Sequence, residues 1–207
     1  MIQAQGQSNL AVAGNGNQVE FQGAYGLTDG LAVQVNGGWV IPRDEDNGNG
    51  GSGRLIEGGL GYFKNINESW LFDTYALAGI GRMENHFPTS LPSNPATTGK
   101  ISANIARYSV QPSLSFHRKY FSVTGSARLS SLNYSSIEGS LFFDNLDQVA
   151  YLRDSKSNVL IEPALTLRGG LEKIKLQIQM MRSFNLSRSD FRQDEGMLSV
   201  GLNFNFR

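Results

Sequence analysis

Apolar and polar residues alternate with a period of two along most of the chain, and this pattern restricts the fold more than any other feature. The C-terminal segment shows it most clearly, with apolar residues at Leu198, Val200, Leu202, Phe204 and Phe206. The residues between them are small, polar or flexible: Met197, Ser199, Gly201, Asn203 and Asn205. Such alternation places the two sets on opposite faces of a β-strand. Helical periodicity is hard to find, so the sequence predicts an all-β protein.

Ten segments with this alternation follow one another, and we predict about ten strands from them. They cover residues 2–13, 18–27, 31–41, 54–63, 70–82, 101–117, 120–134, 158–171, 174–186 and 196–206. The segment 70–82 has no clean apolar face, which favours a bulge. Pro112 and Pro163 lie inside segments, and each is expected to mark a bulge or a strand end because proline cannot donate to the ladder. We expect residues 135–157 to hold a helical turn or a packed loop segment.

The linkers between these segments alternate between short and long. Those after the second, fourth, sixth and eighth segments are short: TDG, KNINES, RK and EK. Those after the third, fifth, seventh and ninth are longer, polar and rich in glycine or proline, and only the first linker is shorter than this rule expects. Such asymmetry is typical of the two rims of an outer-membrane barrel. We therefore predict one domain over residues 1–207, an up-and-down antiparallel transmembrane β-barrel of about ten strands, with eight as the alternative.

The polar face of the segments has two interpretations. In a water-soluble sandwich it would meet water, whereas in a membrane barrel it lines the lumen and the apolar face meets lipid. We favour the membrane barrel because most aromatic residues lie near predicted strand ends, where interfacial girdles form. The side chains predicted to line the lumen include Glu20, Glu57, Arg107, Gln111, Arg128, Glu162, Arg168, Lys175 and Gln177. Because both signs of charge occur among them, we expect them to pair inside a narrow barrel rather than to line an open channel.

The composition excludes several function classes. Lysine and arginine together number 18, as do aspartate and glutamate, so no basic excess points to nucleic acid as a partner. The chain has no cysteine, which excludes disulfides, thiolate metal sites and a cysteine nucleophile. No motif indicates a cofactor or a metal. The N-terminal residues lack the basic start and apolar core of a signal peptide, so we expect a mature chain whose leader has been removed and to which Met1 has been added.

Two groups of motifs resemble a known family. The C-terminal GLNFNF, with Gly201, Leu202, Phe204 and Phe206, resembles the signal by which bacterial outer-membrane barrels are recognised for assembly, although Arg207 follows the last aromatic. The blocks VEFQGAYGLTDGLAVQVNG, IEGGLGYF and VQPSLSF resemble a family of small outer-membrane barrel proteins common in Bacteroidota. The resemblance implies a bacterial outer-membrane location, with lipid and the barrel-assembly machinery as partners. Members of that family often carry a lipoprotein cysteine, and the absence of cysteine here does not support a lipid anchor.

Three classes of function follow, in order of preference. The first is a non-enzymatic outer-membrane protein, structural or accessory to a larger outer-membrane complex, with a charge-paired lumen and binding-capable outer loops. The second is a narrow pore for small solutes or ions. The third is a hydrolase at the outer rim, whose candidate residues would be Asp44, Glu45, Asp46, Glu84, His86 and Asp190. We rank the hydrolase last because the acids and His86 form no paired motif, and we interpret His86 and His117 as surface residues.

Overall fold

The computed structural model describes residues 2–44, 50–87, 98–143, 146–191, 193 and 195–206, and these form a closed β-barrel. The ten long strands are β1 (Ser8–Asn15), β2 (Gln18–Gly26), β3 (Leu31–Asp44), β4 (Gly50–Asn65), β5 (Trp70–Phe87), β6 (Thr98–His117), β7 (Phe121–Phe143), β9 (Ser157–Gly170), β10 (Ile174–Arg182) and β12 (Gly196–Phe206). The shorter elements are β8 (Leu146–Asp147), α1 (Gln148–Asp154) and β11 (Phe184–Asn185).

The barrel is antiparallel and up-and-down, as the alternation of linkers predicts. Each long strand pairs with the next long strand along the chain. The pairing of β7 with β9 bypasses β8 and α1, and the pairing of β1 with β12 closes the barrel. The strand number is ten, so the alternative of eight is wrong.

Large apolar side chains cover the outside of the barrel. Ile80 is 70% exposed, Leu60 63% and Trp39 61%, and apolar residues of every long strand contribute to the same surface. A soluble protein of this size does not expose a continuous apolar band of this extent. The apolar face is therefore a surface for lipid rather than a core, and the soluble sandwich is excluded. None of the helices among the described residues is long enough and apolar enough to cross a membrane.

Residues 2–7 do not extend the first strand, contrary to the prediction of a strand over residues 2–13. They fold back at the short-turn rim, where Gly6 has a φ of +77° and donates its N–H to the Gly26 carbonyl at 2.9 Å. The Ile2 side chain is 1% exposed and packs inside the barrel with Phe63 and Leu71. Burial of this one apolar side chain explains why the chain leaves the sheet direction before β1.

The bulge expected over residues 70–82 is absent, because β5 pairs with β4 and β6 without a shift of register. The two faces of β5 look mixed in sequence for a packing reason. Leu71 and Leu77 point inwards and join the cluster around Ile2, while the outward positions include the small residues Ala76 and Ala78.

The two prolines also do not mark bulges or strand ends. Pro112 lies opposite Thr74 and Pro163 lies opposite Ala127, with the register unchanged on both sides of each pair. Each proline interrupts a ladder locally because it lacks an N–H. The shifts of register occur elsewhere, between Val40 and Arg43 and between Ser102 and Asn104.

The region 135–157 contains the predicted helical turn together with an unpredicted continuation of β7. The Asp147 side chain caps α1 by accepting hydrogen bonds from the N–H groups of Val149 and Ala150 at 2.9 and 3.2 Å. Val149 and Leu152 are buried in an apolar cluster at the long-loop end whose other buried members are Ile101, Ala103 and Leu141. Strand length differs greatly around the barrel, from 8 residues in β1 to 23 in β7.

Candidate functional site

The middle of the lumen holds four charged side chains that alternate in sign, which we call the central network: Glu57, Arg107, Arg128 and Glu162. Arg128 Nη1 lies 3.0 Å from Glu57 Oε2, and Arg107 Nε lies 3.7 Å from Glu57 Oε1. Arg107 Nη2 forms an ion pair with Glu162 Oε2. These residues come from β4, β6, β7 and β9, so with β5 between the first two the network spans five neighbouring strands of the inner wall.

Neutral side chains satisfy most of the remaining donors of the central network. Arg128 Nε donates to Gln111 Oε1 at 2.7 Å. The Ser130 hydroxyl accepts from Arg107 Nη2 at 3.1 Å and donates to Glu162 Oε2 at 3.2 Å. Glu57 is only 4% exposed, so its charge depends on these arginines for compensation. Around the network there remains a cavity of about 200 Å³.

The structure places all nine predicted lumen residues on the inner wall. Glu20 lines the same cavity as the central network. Arg168 and Gln177 lie nearer the short-turn rim, and Arg168 Nε donates to Gln177 Oε1 at 2.8 Å. Lys175 lies closest to that rim, is 8% exposed, and lines a second cavity of about 510 Å³. The nine residues therefore divide between a paired centre and a more basic short-turn end.

The interior also contains polar residues that the sequence analysis did not single out. Asp73 is buried on the inner face of β5, where the mixed pattern of that segment hid it. Asn9 on β1 is buried against Asn203 and Asn205 on β12. Its side-chain amide donates to their side-chain oxygens at 3.1 and 2.6 Å. A side-chain ladder therefore reinforces the seam that closes the barrel.

The four residues of the predicted assembly signal all lie on β12. Leu202 and Phe206 point outwards and are exposed, and the rings of Phe204 and Phe206 stack with centroids 6.5 Å apart. Gly201 faces inwards where β12 approaches β1, and a Cβ there would lie 2.0 Å from the Val12 carbonyl oxygen. Glycine is therefore required at this position by the closeness of the two strands. Recognition of these residues during assembly stays a prediction.

The residues considered for a hydrolase do not form one site in the described part of the chain. Glu84 lies on the face of β5 opposite Met83, which packs inwards, and its carboxylate accepts a hydrogen bond from Lys100 at 2.7 Å. Asp190 is in another region, on the loop before β12, 3.8 Å from Arg188.

The other residues considered for a hydrolase do not complete a site among the described residues. His86 follows Glu84 on the same strand face, opposite Lys100. The side chain of Asp44, together with Glu45 and Asp46, falls outside the described residues. Within the described ranges, no three histidine, aspartate or glutamate side chains come together in a way that could hold a metal ion.

No protein-family model matches the chain, and no curated protein sequence matches it. Solved structures do match its fold. The outer membrane protease OmpT from Escherichia coli has a TM-score of 0.56 and 8% sequence identity, over 97% of this chain and 92% of that one. A major outer membrane protein from Thermus thermophilus has a TM-score of 0.45 and 10% identity, over 97% and 99%. LpxR from Salmonella typhimurium has a TM-score of 0.39 and 8% identity, over 97% and 99%. The similarity to OmpT shows that this chain has the fold of an outer-membrane β-barrel.

Proposed function

We propose that the chain is a non-enzymatic, non-conducting β-barrel of the bacterial outer membrane that serves as a structural or accessory subunit of an outer-membrane assembly. The central network is the observation that best supports this proposal. Its two carboxylates pair with its two guanidinium groups inside the lumen, and Gln111 and Ser130 accept further hydrogen bonds from the arginines. A narrow pore would need those same side chains to separate.

The two ends of the lumen favour the same conclusion. At the short-turn end, Ile2 fills part of the interior together with Phe63 and Leu71. At the long-loop end, α1 packs Val149 and Leu152 over inward-facing residues of the tall strands. A solute would have to pass both clusters as well as the central network.

The outer-membrane location and its partners belong to the same proposal. The exposed apolar band, including Leu60 and Ile80, supplies the surface that lipid would cover. The exposed ends of β12, with Leu202 and Phe206, are where the barrel-assembly machinery would bind during insertion. The blocks in β2–β4 and β6 that resemble a Bacteroidota family favour an origin in that group.

The absence of an enzymatic activity is proposed from the placement of the acidic residues. Two described acidic side chains near the long-loop rim are already engaged, Glu84 by Lys100 and Asp190 by Arg188. The two described histidines lie at opposite ends of the barrel, His117 at the short-turn rim and His86 near the long-loop end of β5. A general base would require an acid and a histidine within hydrogen-bonding reach of one reacting atom.

The test is planar-bilayer conductance of protein refolded in detergent, with heat-modifiable gel migration as the control for folding. A folded barrel that stays silent across a wide voltage range is expected. Co-purification from native membranes with an affinity tag on the same protein then tests the accessory role. Reproducible single-channel steps from the folded protein would replace this proposal with the narrow pore, and peptide or lipid hydrolysis by the purified barrel would replace it with the hydrolase.

A further inference from the structure

A second cavity, which we call the vestibule, opens at the short-turn rim and is rich in basic side chains. Its volume is about 510 Å³, and three of the tight turns of this rim contribute to its wall. The charged residues that line it are Arg118, Lys119, Arg168, Lys173 and Lys175, against Glu68 and Glu172. The vestibule therefore has three positive charges in excess, in contrast to the balanced central network.

The strand register brings four hydrogen-bond donors of the vestibule next to one another. They are His117, Ser122, Arg168 and Lys175. His117, Ser122 and Arg168 are consecutive cross-strand partners on β6, β7 and β9. Gln177 continues the same row on β10, and Lys175 lies two residues from it on the same face. Directly opposed side chains in a sheet are about 5 Å apart at Cβ, so these donors face one small volume.

Several of these donors have no partner within the described part of the protein. Lys175, although 8% exposed, makes no hydrogen bond and no ion pair within 4 Å. Arg168 uses only Nε, to Gln177, which leaves its two Nη groups without a hydrogen bond. The buried Nδ1 of His117 also has no partner.

None of the described carboxylates near the vestibule forms a hydrogen bond or an ion pair with Lys175, Arg168 or His117. Glu172 pairs with Lys119 at 3.7 Å, and both side chains are more than half exposed at the rim. Glu68 is exposed on the neighbouring turn between β4 and β5, where the Ser69 carbonyl accepts the His117 backbone N–H at 2.8 Å. Asp73 lines the cavity of the central network together with Arg168, but the two form no ion pair. The Lys175 ammonium therefore reaches the vestibule from a largely buried side chain without a hydrogen-bonded counter-charge, and a bound anion can supply that charge.

We propose that the vestibule binds a phosphate group between Lys175, the Nη groups of Arg168 and the ring of His117. Arginine offers two parallel donors to an oxyanion, lysine adds a point charge, and the Ser122 hydroxyl lies in the same row. The volume of about 510 Å³ leaves room for a phosphate group that is part of a larger molecule. The phosphate group is carried either by a soluble phosphorylated compound or by a phospholipid headgroup at the short-turn rim.

Titration calorimetry tests the site with inorganic phosphate and with pyrophosphate, on the full chain folded in non-ionic detergent at constant ionic strength. Saturable binding of one anion per barrel is expected. Lys175→Gln should weaken it by about tenfold or more, because a hydrogen bond to a charged group is lost. The matched control is Lys64→Gln, which removes one exposed positive charge at the same rim outside the vestibule, and it should change affinity by less than about twofold. No saturable binding, or an equal loss in both variants, would overturn the proposal.

Stability and retained lipid complete the test. Without phosphate, Lys175→Gln should unfold at an equal or higher denaturant concentration than the parent, because it removes one positive charge from a vestibule that has three in excess. A clear loss of stability would contradict the site by giving Lys175 a structural role. Native mass spectrometry of protein extracted from membranes identifies the source. Phospholipid retained by the parent and lost in Lys175→Gln indicates a headgroup, whereas phosphate binding without retained lipid indicates a soluble compound.

Discussion

The side chains of Asn9 and Asn203 exchange two hydrogen bonds, each of 3.1 Å, at the seam where the first and last strands of the barrel meet. Asn203 also donates to the Leu10 carbonyl at 3.1 Å. Both asparagines are buried, so the polar face that alternates with Leu202 and Phe204 serves to close the barrel. This seam joins the first and last strands of the chain, so its formation closes the barrel.

Substitutions at the seam should be strongly coupled. Asn203→Ala is expected to lower the free energy of unfolding by about 1–3 kcal/mol, because the buried side-chain oxygen of Asn9 loses its donor and only the hydrogen bond from Asn9 to Asn205 remains. Asn9→Ala should have a similar effect. The double variant should cost clearly less than the sum of the two, since neither amide is then left unsatisfied. Urea unfolding in lipid vesicles measures all three, and strict additivity would contradict a reciprocal pair.

Arg128→Met should destabilise the barrel by about 3 kcal/mol, because Glu57 remains buried with only the 3.7 Å contact to Arg107. The matched control is Arg182→Met. Arg182 is paired with Glu195 at 3.5 Å, but both side chains are mostly exposed, so its loss should cost less than about 1 kcal/mol. Unfolding curves of the two variants are compared under one condition. Equal effects would show that the central network contributes no more than a surface ion pair.

Removal of both arginines of the central network should open the lumen. In Arg107→Ala/Arg128→Ala, two long side chains beside the cavity of about 200 Å³ are gone, and Glu57 and Glu162 lose their partners. We expect measurable currents that favour cations, because the two carboxylates then face water. The recording uses the bilayer on which the parent is silent, and heat-modifiable migration checks folding. A folded double variant without current would mean that the clusters at the two ends suffice to block the barrel.

Two outward positions on β7 should define the edge of the membrane. Leu129 is 51% exposed and lies within the apolar band, while Ser135 is six residues further along the same face. Leu129→Arg should cost about 2–4 kcal/mol or prevent insertion, whereas Ser135→Arg should cost about 0–1 kcal/mol. Folding yield into vesicles is the measurement. Similar tolerance at both positions would contradict the assignment of this face to lipid.

The C-terminal aromatic should matter more for assisted assembly than for stability. Phe206→Ala is expected to slow insertion into vesicles that contain the barrel-assembly machinery, and to leave refolding in detergent nearly unchanged. Phe184→Ala, which also removes an exposed aromatic from the outer wall, is the control. Equal rates for Phe206→Ala and Phe184→Ala in the assisted reaction would remove the basis for an assembly signal.

The barrel could be predicted from the sequence because its two surfaces have different solvents. Val200 and Leu202 alternate with Ser199 and Asn203, since lipid and lumen impose a period of two on every strand that separates them. The prediction of a bulge in β5 was wrong because β5 departs from this period of two without any shift of register. Inside the barrel, Leu71 meets Ile2 rather than polar groups, and a contact between residues so distant in sequence leaves no periodic trace.

The pairing inside the lumen could be predicted only as a class. The sequence indicates that acids and bases share one face, but the choice of Glu57 by Arg128, 71 residues away, depends on strand tilt and register. The same holds for the vestibule. Its row of His117, Ser122 and Arg168 exists only because three strands meet at one level, and none of the three belongs to a local motif.

Because the strands differ in length, one side of the barrel is much taller than the other. At about 3.3 Å per residue and a tilt of about 40°, β7 with its 23 residues rises about 58 Å, whereas β1 with its 8 residues rises about 20 Å. The apolar band of such a barrel is about 25 Å tall. A neighbour that approaches from the side of β1 and β2 meets little more than the lipid-facing belt. One that approaches from the side of β5–β7 also meets a wall that rises above the lipid at the long-loop end, so the two sides of the barrel offer different surfaces to a neighbour.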